Sequence, residues 1–403
     1  MTRRLILTVL LLACASALLS AAPVTPVVVD SLTGAPLPKA SVYDRTGDFI
    51  GVSSDNGRLP RASAAAWPLT VRYMGYRPAV ALSPDTDTLR MAEAGFDLPE
   101  IVVESKKRDV LRLRGYVREY SSMTTYTDTV LLFREKAVDF MVPVGKERKF
   151  KGWLNPRVLA SRSYYHFSDC QGLDSVSAHF GGYFSWSDWI GIRDTASLPP
   201  SLSGEGAAVD SVFGRHGLSA AWRRSGENVW LSVDVLADSL NRAWTPALAG
   251  FFDNGLDLRR LNMRWAFTEV SGDRVYASNV ARVAFDIESK GRGRNLQRFF
   301  RTDGPVYVDT HAEIYITGRE YMSAAEARRC EKDPLGEEAV QIVVPPDAPE
   351  LQPAVKMIVE RVESIDYDAL RLGERPDKRY AGIRNYGKVE KGGFLKYLKS
   401  VFL

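Results

Sequence analysis

The chain has 403 residues, of which 45% are hydrophobic and 25% are charged, and this composition is typical of folded globular proteins. Its length is enough for two or three domains. The formal net charge of +4 is small for this length and argues against a nucleic-acid partner.

Residues 1–22 have the pattern of a secretory signal peptide. Two arginines precede the apolar run of residues 5–12, and small residues end the segment at Ala22. The apolar run is shorter than the roughly 20 residues that a membrane-spanning helix needs. We therefore expect an exported protein, located in the periplasm or at the outer membrane.

The same segment carries a second processing signal. Residues 11–14, Leu-Leu-Ala-Cys, resemble a lipoprotein cleavage site with Cys14 as the lipidated residue. The residues after Cys14 stay apolar, which is more typical of ordinary cleavage near Ala21. From the sequence alone, both processing routes stay open.

Two further cysteines follow, Cys170 and Cys330. They could pair in an oxidising compartment, or they could be unrelated. Neither belongs to a cluster with metal-ligand spacing, and the sequence indicates no cofactor and no metal.

Residues 24–92 contain short β-branched or alternating runs that are separated by turn residues. The runs are residues 27–29, 40–43, 49–53, 69–73, 80–82 and 89–91. Asp55-Asn56-Gly57 is a tight-turn sequence, because Asn and Gly tolerate positive φ. The spacing predicts a small β-sandwich of about seven strands.

Three stretches of this region, VVVDSLTGAPLPKASV, GVSSDNGRLP and LTVRYMGYRP, resemble the carboxypeptidase-like regulatory domain. This is a transthyretin-like sandwich at the front of many envelope proteins of Bacteroidota. The run that begins at Asp30 and the late Gly75-Tyr76 pair carry the resemblance, whereas an alanine-rich loop at residues 59–67 departs from it. The resemblance implies a binding or spacing module and no peptidase activity.

The rest of the chain is predicted to be mainly β (α+β), with a larger antiparallel sheet after the sandwich. Residues 93–112 are expected to be a linker with a strand at 101–103. Within residues 113–346, alternation is clearest at 229–236, 261–267 and 275–287. Such a sheet could be open or close into a half-barrel, and its apolar face needs a helix, a second sheet or a lipid ligand to cover it.

The strand predicted at residues 305–317 carries the sharpest site candidate. Period-two alternation places Asp309, His311 and Glu313 on one face. Side chains of these types can bind a metal or act as acid and base, although alternation of this kind also occurs in any half-solvated strand. Asp286 and Glu288 lie two residues apart, and we expect them on a solvated face.

A basic run surrounds two glycines and predicts a hairpin with a cationic tip. Its residues are Lys290, Arg292, Arg294, Arg298 and Arg301. Such a tip could contact anionic lipid or glycan. The two glycines do not match a phosphate-binding fingerprint, which needs a third glycine at the right spacing.

Residues 347–390 are expected to form a helix and a C-terminal extension. Apolar residues recur with helical spacing over residues 354–364 and predict an amphipathic helix on the sheet. Residues 391–403 form an amphipathic tail that could dock on the protein or on a membrane surface. The apolar stripe of this tail consists of Phe394, Tyr397, Leu398, Val401 and Phe402.

These observations favour a non-catalytic interaction or accessory protein of the cell envelope. The front module would dock, and the sheet domain would bind an envelope protein or a lipid- or glycan-like ligand. Two alternatives stay open: a periplasmic enzyme that uses Asp309, His311 and Glu313, and a small outer-membrane β-barrel protein.

Overall fold

The computed structural model describes residues 25–47, 49–73, 75–94, 101–103, 108–144, 150, 152, 155–178, 185–193, 195–204, 206–214, 217–238, 241, 244, 256–292, 300, 304–332 and 341–366. The chain divides into two compact units, Met1–Gly95 and Phe96–Leu403. Both are built mainly from β-strands, so the predicted fold class is confirmed. Cys14, the leader and the tail stripe lie outside the described residues.

The first unit is a two-layer sandwich. Its described strands are β1 (Val27–Asp30), β2 (Ser41–Tyr43), β3 (Phe49–Val52), β4 (Leu69–Arg72), β5 (Ala79–Ala81) and β6 (Thr88–Met91). β1 pairs in parallel with β6, and the other four form an antiparallel sheet in the order β3-β2-β4-β5. Strand positions match the sequence prediction closely, with six strands here rather than the seven expected.

The sandwich closes around one apolar core to which both sheets contribute. Val28 and Leu89 come from the parallel pair, and Val42, Leu69 and Val71 come from the four-stranded sheet. Burial of this apolar surface stabilises the unit, since each fully buried aliphatic side chain contributes about 1.5–3 kcal/mol. The unit therefore has a core of its own.

In its described part, the second unit contains an eleven-stranded sheet and a small separate pair of strands. In chain order the strands are β7 (Ile101–Val103), β8 (Val110–Thr124), β9 (Asp128–Pro143), β10 (Arg157–Asp169), β11 (Asp174–Ser177), β12 (Thr195–Ser197), β13 (Ala208–Gly214), β14 (Gly217–Ser225), β15 (Asn228–Asp234), β16 (Leu256–Phe267), β17 (Arg274–Tyr276), β18 (Val280–Gly291) and β19 (Val306–Met322). β12 and β17 form the separate pair.

The chain enters the large sheet at its centre. From β8 it runs outward through β9 and β10 to β11, crosses to the opposite end, and returns through β13, β14, β15, β16 and β18 to β19. β19 then pairs with β8 along almost its whole length, with Ala312 opposite Glu119. Every neighbouring pair on this path is antiparallel, as the alternating sequence predicts.

The crossover from β11 to β13 covers the apolar face of the sheet. Side chains of the sheet such as Val117, Phe285 and Ile314 form one core with Trp186 and Leu202 of the crossover. Trp186 and Leu202 are fully buried. The apolar face that the sequence required to be covered is thus packed against the chain's own connecting segment.

Two helices are present among the described residues, α1 (Ala324–Lys332) and α2 (Pro353–Glu363). α2 confirms the helix predicted over residues 354–364. Ile358 and Val362 pack against Phe133 and Tyr164, which lie on the other face of the sheet. Neither of these helices has the length and hydrophobicity that a bilayer crossing needs.

The strand expected at 101–103 is present as β7, and it pairs in parallel with residues 319–321 of β19. Two sequence expectations need correction. The run at 275–287 is not one strand, because a 3-10 turn at Ala277–Asn279 separates β17 from β18. Cys170 and Cys330 are both free thiols, so the pairing alternative is wrong.

Candidate functional site

Asp309, His311 and Glu313 lie on one face of β19, as the alternation predicts. This charged face is the one opposite the apolar face, and it also carries Asp286 of β18 and Arg118 of β8. The sheet places the three candidate side chains in a row, and each contacts a different partner.

His311 belongs to a buried ionic cluster that spans three strands. Its Nδ1 lies 2.7 Å from Oδ1 of Asp286, and the other carboxylate oxygen of Asp286 accepts from Arg264 of β16. All three side chains are buried. The Tyr120 ring stacks beside the imidazole at a centroid distance of 6.2 Å.

The charge state of Asp286 follows from these neighbours. Burial acts to raise the pKa of its carboxyl, but the charge of Arg264 and the interaction with His311 outweigh burial and hold that pKa well below its usual range. Asp286 is therefore a buried carboxylate ion. The expectation that it lies on a solvated face is wrong, although Glu288 does remain partly exposed beside Arg260.

Asp309 and Glu313 are held by other groups. Asp309 pairs with Arg260 at 3.2 Å, and its side chain is 46% exposed. Partial burial raises the pKa of the Asp309 carboxyl above its ordinary value, although the charge of Arg260 opposes the rise. Glu313 accepts a hydrogen bond of 2.9 Å from the Tyr315 hydroxyl.

An extended segment at residues 341–352, which we call the covering segment, lies over part of the charged face. Arg118 is buried between the rings of Tyr116 and Tyr315 and donates to the carbonyl of Pro349 at 2.6 Å. Arg282 stands 4.4 Å from the Tyr315 ring centroid and pairs with Asp347. These contacts explain why a face with so many charges is largely buried.

A second charged cluster lies on the apolar face of the large sheet. Glu119 of β8 and Lys136 of β9 are fully buried, with 3.6 Å between the carboxylate and Nζ. Glu119 accepts from the Ser185 hydroxyl at 2.6 Å and from the Trp186 amide at 3.0 Å. We call this the Glu119 cluster.

Lys136 completes the Glu119 cluster. Its Nζ donates to Ser187 at 2.7 Å and pairs with Asp188, which is the most exposed member of the group. Burial acts to raise the pKa of Glu119, but Lys136, Arg134 and the serine hydroxyls outweigh it and lower that pKa below its ordinary value. The cluster ties the crossover to the middle of the sheet.

A lysine beside serine hydroxyls is also an arrangement that can activate a nucleophile. Here Ser185, Ser187 and Lys136 are all buried, and two carboxylates surround the ammonium group. This geometry suits a structural ion cluster, since a nucleophile must be reachable by its substrate.

Of the predicted cationic tip, the described residues include Lys290 and Arg292; Arg294, Arg298 and Arg301 lie outside them. Lys290 lies 4.9 Å from the Tyr307 ring centroid, and Arg259 approaches the same ring at 5.7 Å. Arg259 was missed because it is the extra residue of a β-bulge between Leu258 and Arg260. Within the described part of the chain, no group of three or more His, Cys, Asp or Glu side chains could hold a metal ion.

Comparisons with known proteins add little to this picture. No protein-family model and no curated protein matches the chain. A solved structure of lipovitellin, concerned with its lipid–protein interactions, is similar at 9% identity and a TM-score of 0.24. That match covers 55% of this chain and 26% of the lipovitellin chain, and at this TM-score it does not establish a shared fold.

Proposed function

We propose that this protein is an exported, non-catalytic interaction protein of the cell envelope. The observation that carries the proposal is that both faces of the central strands β8 and β19 are occupied by the chain's own segments. A partner would then contact outer surfaces of the folded units.

The charged face supports binding over catalysis. A general acid or base must reach the proton that it transfers, yet His311 and Asp286 are buried and bonded to each other. Asp309 is the more accessible of the three candidates, and its carboxylate is engaged by Arg260. The arrangement is that of internal ion pairs in a rigid sheet.

The apolar face supports a macromolecular partner over an enclosed lipid chain. Trp186, Ile190 and Leu202 of the crossover are fully buried in the core that a lipid chain would otherwise occupy. We therefore assign the binding role to the surface of the sheet domain and a docking role to the front module. The export of the protein rests on its N-terminal sequence.

In-cell crosslinking of the tagged full-length chain tests this proposal. We expect a defined envelope partner, which deletion of residues 24–92 removes and which His311→Ala retains. The matched control is Lys356→Met. Lys356 forms a solvent-exposed ion pair with Glu350 and takes no part in the contacts of Asp309, His311 or Glu313 described above. Absence of any partner with short and long crosslinkers would contradict the proposal, and so would loss of the partner in His311→Ala protein that melts normally.

One observation favours the periplasmic enzyme as a second candidate. The contact of 2.7 Å between His311 and Asp286 is of the kind that orients a catalytic imidazole. A hydrolase screen with ester, amide and glycoside probes would support this candidate if turnover appears with the native chain and disappears with His311→Ala. Equal turnover in both proteins would exclude His311 as the active residue.

A further inference from the structure

The two ends of the large sheet are built differently. β11 at one end has four residues, and its Asp174 pairs with His166 of the neighbouring strand and with Arg361 of α2. Short length, charge and a covering helix are common ways to prevent an edge strand from pairing with another chain. This end of the sheet is therefore protected.

β13 at the other end is longer than β11 and more apolar. Among the described residues it pairs with β14 and with no other strand. It is seven residues long, Ala-Val-Asp-Ser-Val-Phe-Gly, without lysine, arginine or proline. Its one charged residue is Asp210, whose carboxylate accepts a hydrogen bond from the Ser201 hydroxyl of the same chain. The bulge in the β13–β14 pairing adds its extra residue on β14, so β13 itself stays regular.

Apolar side chains of β13 are exposed to solvent. Val209 is 57% exposed and Phe213 is 71% exposed, and alternation places both on one face with Ser211 between them. A regular strand that is paired on one side among the described residues, and that exposes apolar side chains, is the form of edge that accepts an added strand.

The sequence of β13 is complementary to itself in the antiparallel direction. If two copies pair about Ser211, Val209 of each copy lies opposite Phe213 of the other. Asp210 then lies opposite Val212, so no like charges meet. Cross-strand apolar pairs of this kind each contribute about 0.2–1 kcal/mol beyond the backbone hydrogen bonds.

We propose that β13 is a homodimerisation edge, at which a second copy of this chain pairs antiparallel about Ser211. The pairing would join two eleven-stranded sheets across a twofold axis. An interface of one strand from each copy, about 24 Å long, is at the small end of specific interfaces, so we expect a reversible dimer that dissociates on dilution. This proposal does not depend on the proposed function.

Sedimentation of the full chain over a range of concentrations is the first test. We expect the native chain to shift from monomer to dimer, and the double variant Val209→Lys/Phe213→Lys to remain monomeric. Both residues are exposed, so the lysines stay in water and the fold is retained, which circular dichroism verifies. The matched control is Val80→Lys/Leu82→Lys, since these residues are also exposed but lie in the front module. It should dimerise like the native chain.

Crosslinking through Ser211 tests the register. Residues directly opposite each other in an antiparallel pair have Cα atoms about 4.5–5.5 Å apart, within the range that a disulfide spans. In protein whose three native cysteines are changed to serine, Ser211→Cys should form a covalent dimer under mild oxidation, whereas Ser203→Cys should not. A chain that is monomeric at all concentrations overturns the proposal. So does a dimer that survives the lysine substitutions without Ser211→Cys crosslinking, or binding of a foreign strand to β13 in place of a second copy.

Discussion

Tyr76 donates its phenolic hydrogen to the carboxylate of Asp30, which lies 46 positions earlier in the chain, and both side chains are buried. The other oxygen of Asp30 accepts from the amides of Leu32 and Thr33 at 2.8 Å. Asp30, from the first motif of the front module, and Tyr76, from its Gly-Tyr pair, thus belong to one hydrogen-bonded group. The residues that carried the resemblance serve the packing of the sandwich.

Replacing Tyr76 with phenylalanine should therefore destabilise the front module. The ring keeps its place in the core, while the buried carboxylate loses one donor, which costs about 1–3 kcal/mol. The measurement is the free energy of opening from hydrogen exchange of amides in residues 26–94. Tyr126→Phe is the control because Tyr126 is fully exposed. Equal protection in the native and Tyr76→Phe proteins would show that the contact contributes nothing.

Gly57 provides a second test of the same module. Its φ is +75°, and a Cβ atom at this position would lie 2.5 Å from the carbonyl oxygen of Val28. Gly34 has a similar φ of +69° with open space around it. Both changes to alanine meet left-handed backbone strain, which costs about 1–3 kcal/mol.

The difference between the two alanine variants isolates the steric clash. We expect Gly57→Ala to cost about 1–3 kcal/mol more than Gly34→Ala, because Val28 belongs to β1 and its backbone must move. Hydrogen exchange of the front module gives both values. If the two variants lose equal protection, the chain relaxes around Gly57 and the close approach has no energetic consequence.

Many strands of both units could be predicted because β-branched or alternating apolar residues mark them in the sequence. The Glu119 cluster was missed, although the sequence carries a signal: Glu119, Arg134 and Lys136 fall at positions of β8 and β9 where the alternate residues are mostly apolar. A charged residue at a core-facing position of a strand indicates that a second polar or charged group is buried beside it. Burial of Asp286 could not be predicted from alternation, because its ion pairs with Arg264 and His311 join three strands that only the folded sheet brings together.

Lys136→Met tests whether the Glu119 cluster holds the crossover. The variant removes the cation that pairs with the buried Glu119 carboxylate and leaves the more weakly interacting Arg134, and breaking a buried ion pair in this way costs about 3–5 kcal/mol. Urea denaturation measures the change in the free energy of unfolding. Lys356→Met is the control, since its ion pair is exposed and contributes little.

The double variant Glu119→Gln/Lys136→Met refines that test. The double variant has no buried carboxylate at position 119 that lacks its lysine. We therefore expect its free energy of unfolding to be higher than that of Lys136→Met. A double variant no more stable than Lys136→Met would show that lysine packing, and not charge pairing, stabilises the crossover.

Asp286 should make stability depend on pH in the acid range. Its folded-state pKa lies below the ordinary value of 3.8, so its contribution is fully present above that value and is lost as pH falls further. Asp286→Asn leaves Arg264 buried without its carboxylate and should cost about 3–5 kcal/mol at neutral pH. The difference between the native chain and the variant should then shrink as pH falls below 3.8.

Urea denaturation at several pH values between neutrality and strong acid measures this difference. Glu350→Gln is the control, because the Glu350 carboxylate is exposed and its ion pair with Lys356 is screened by solvent. The control curve should follow that of the native chain. A gap between native and Asp286→Asn protein that stays constant with pH would mean that the Asp286 carboxyl has the same pKa in the folded and the unfolded chain, which contradicts the lowered pKa. The stability lost in the variant would then come from the geometry of the cluster and not from its charge.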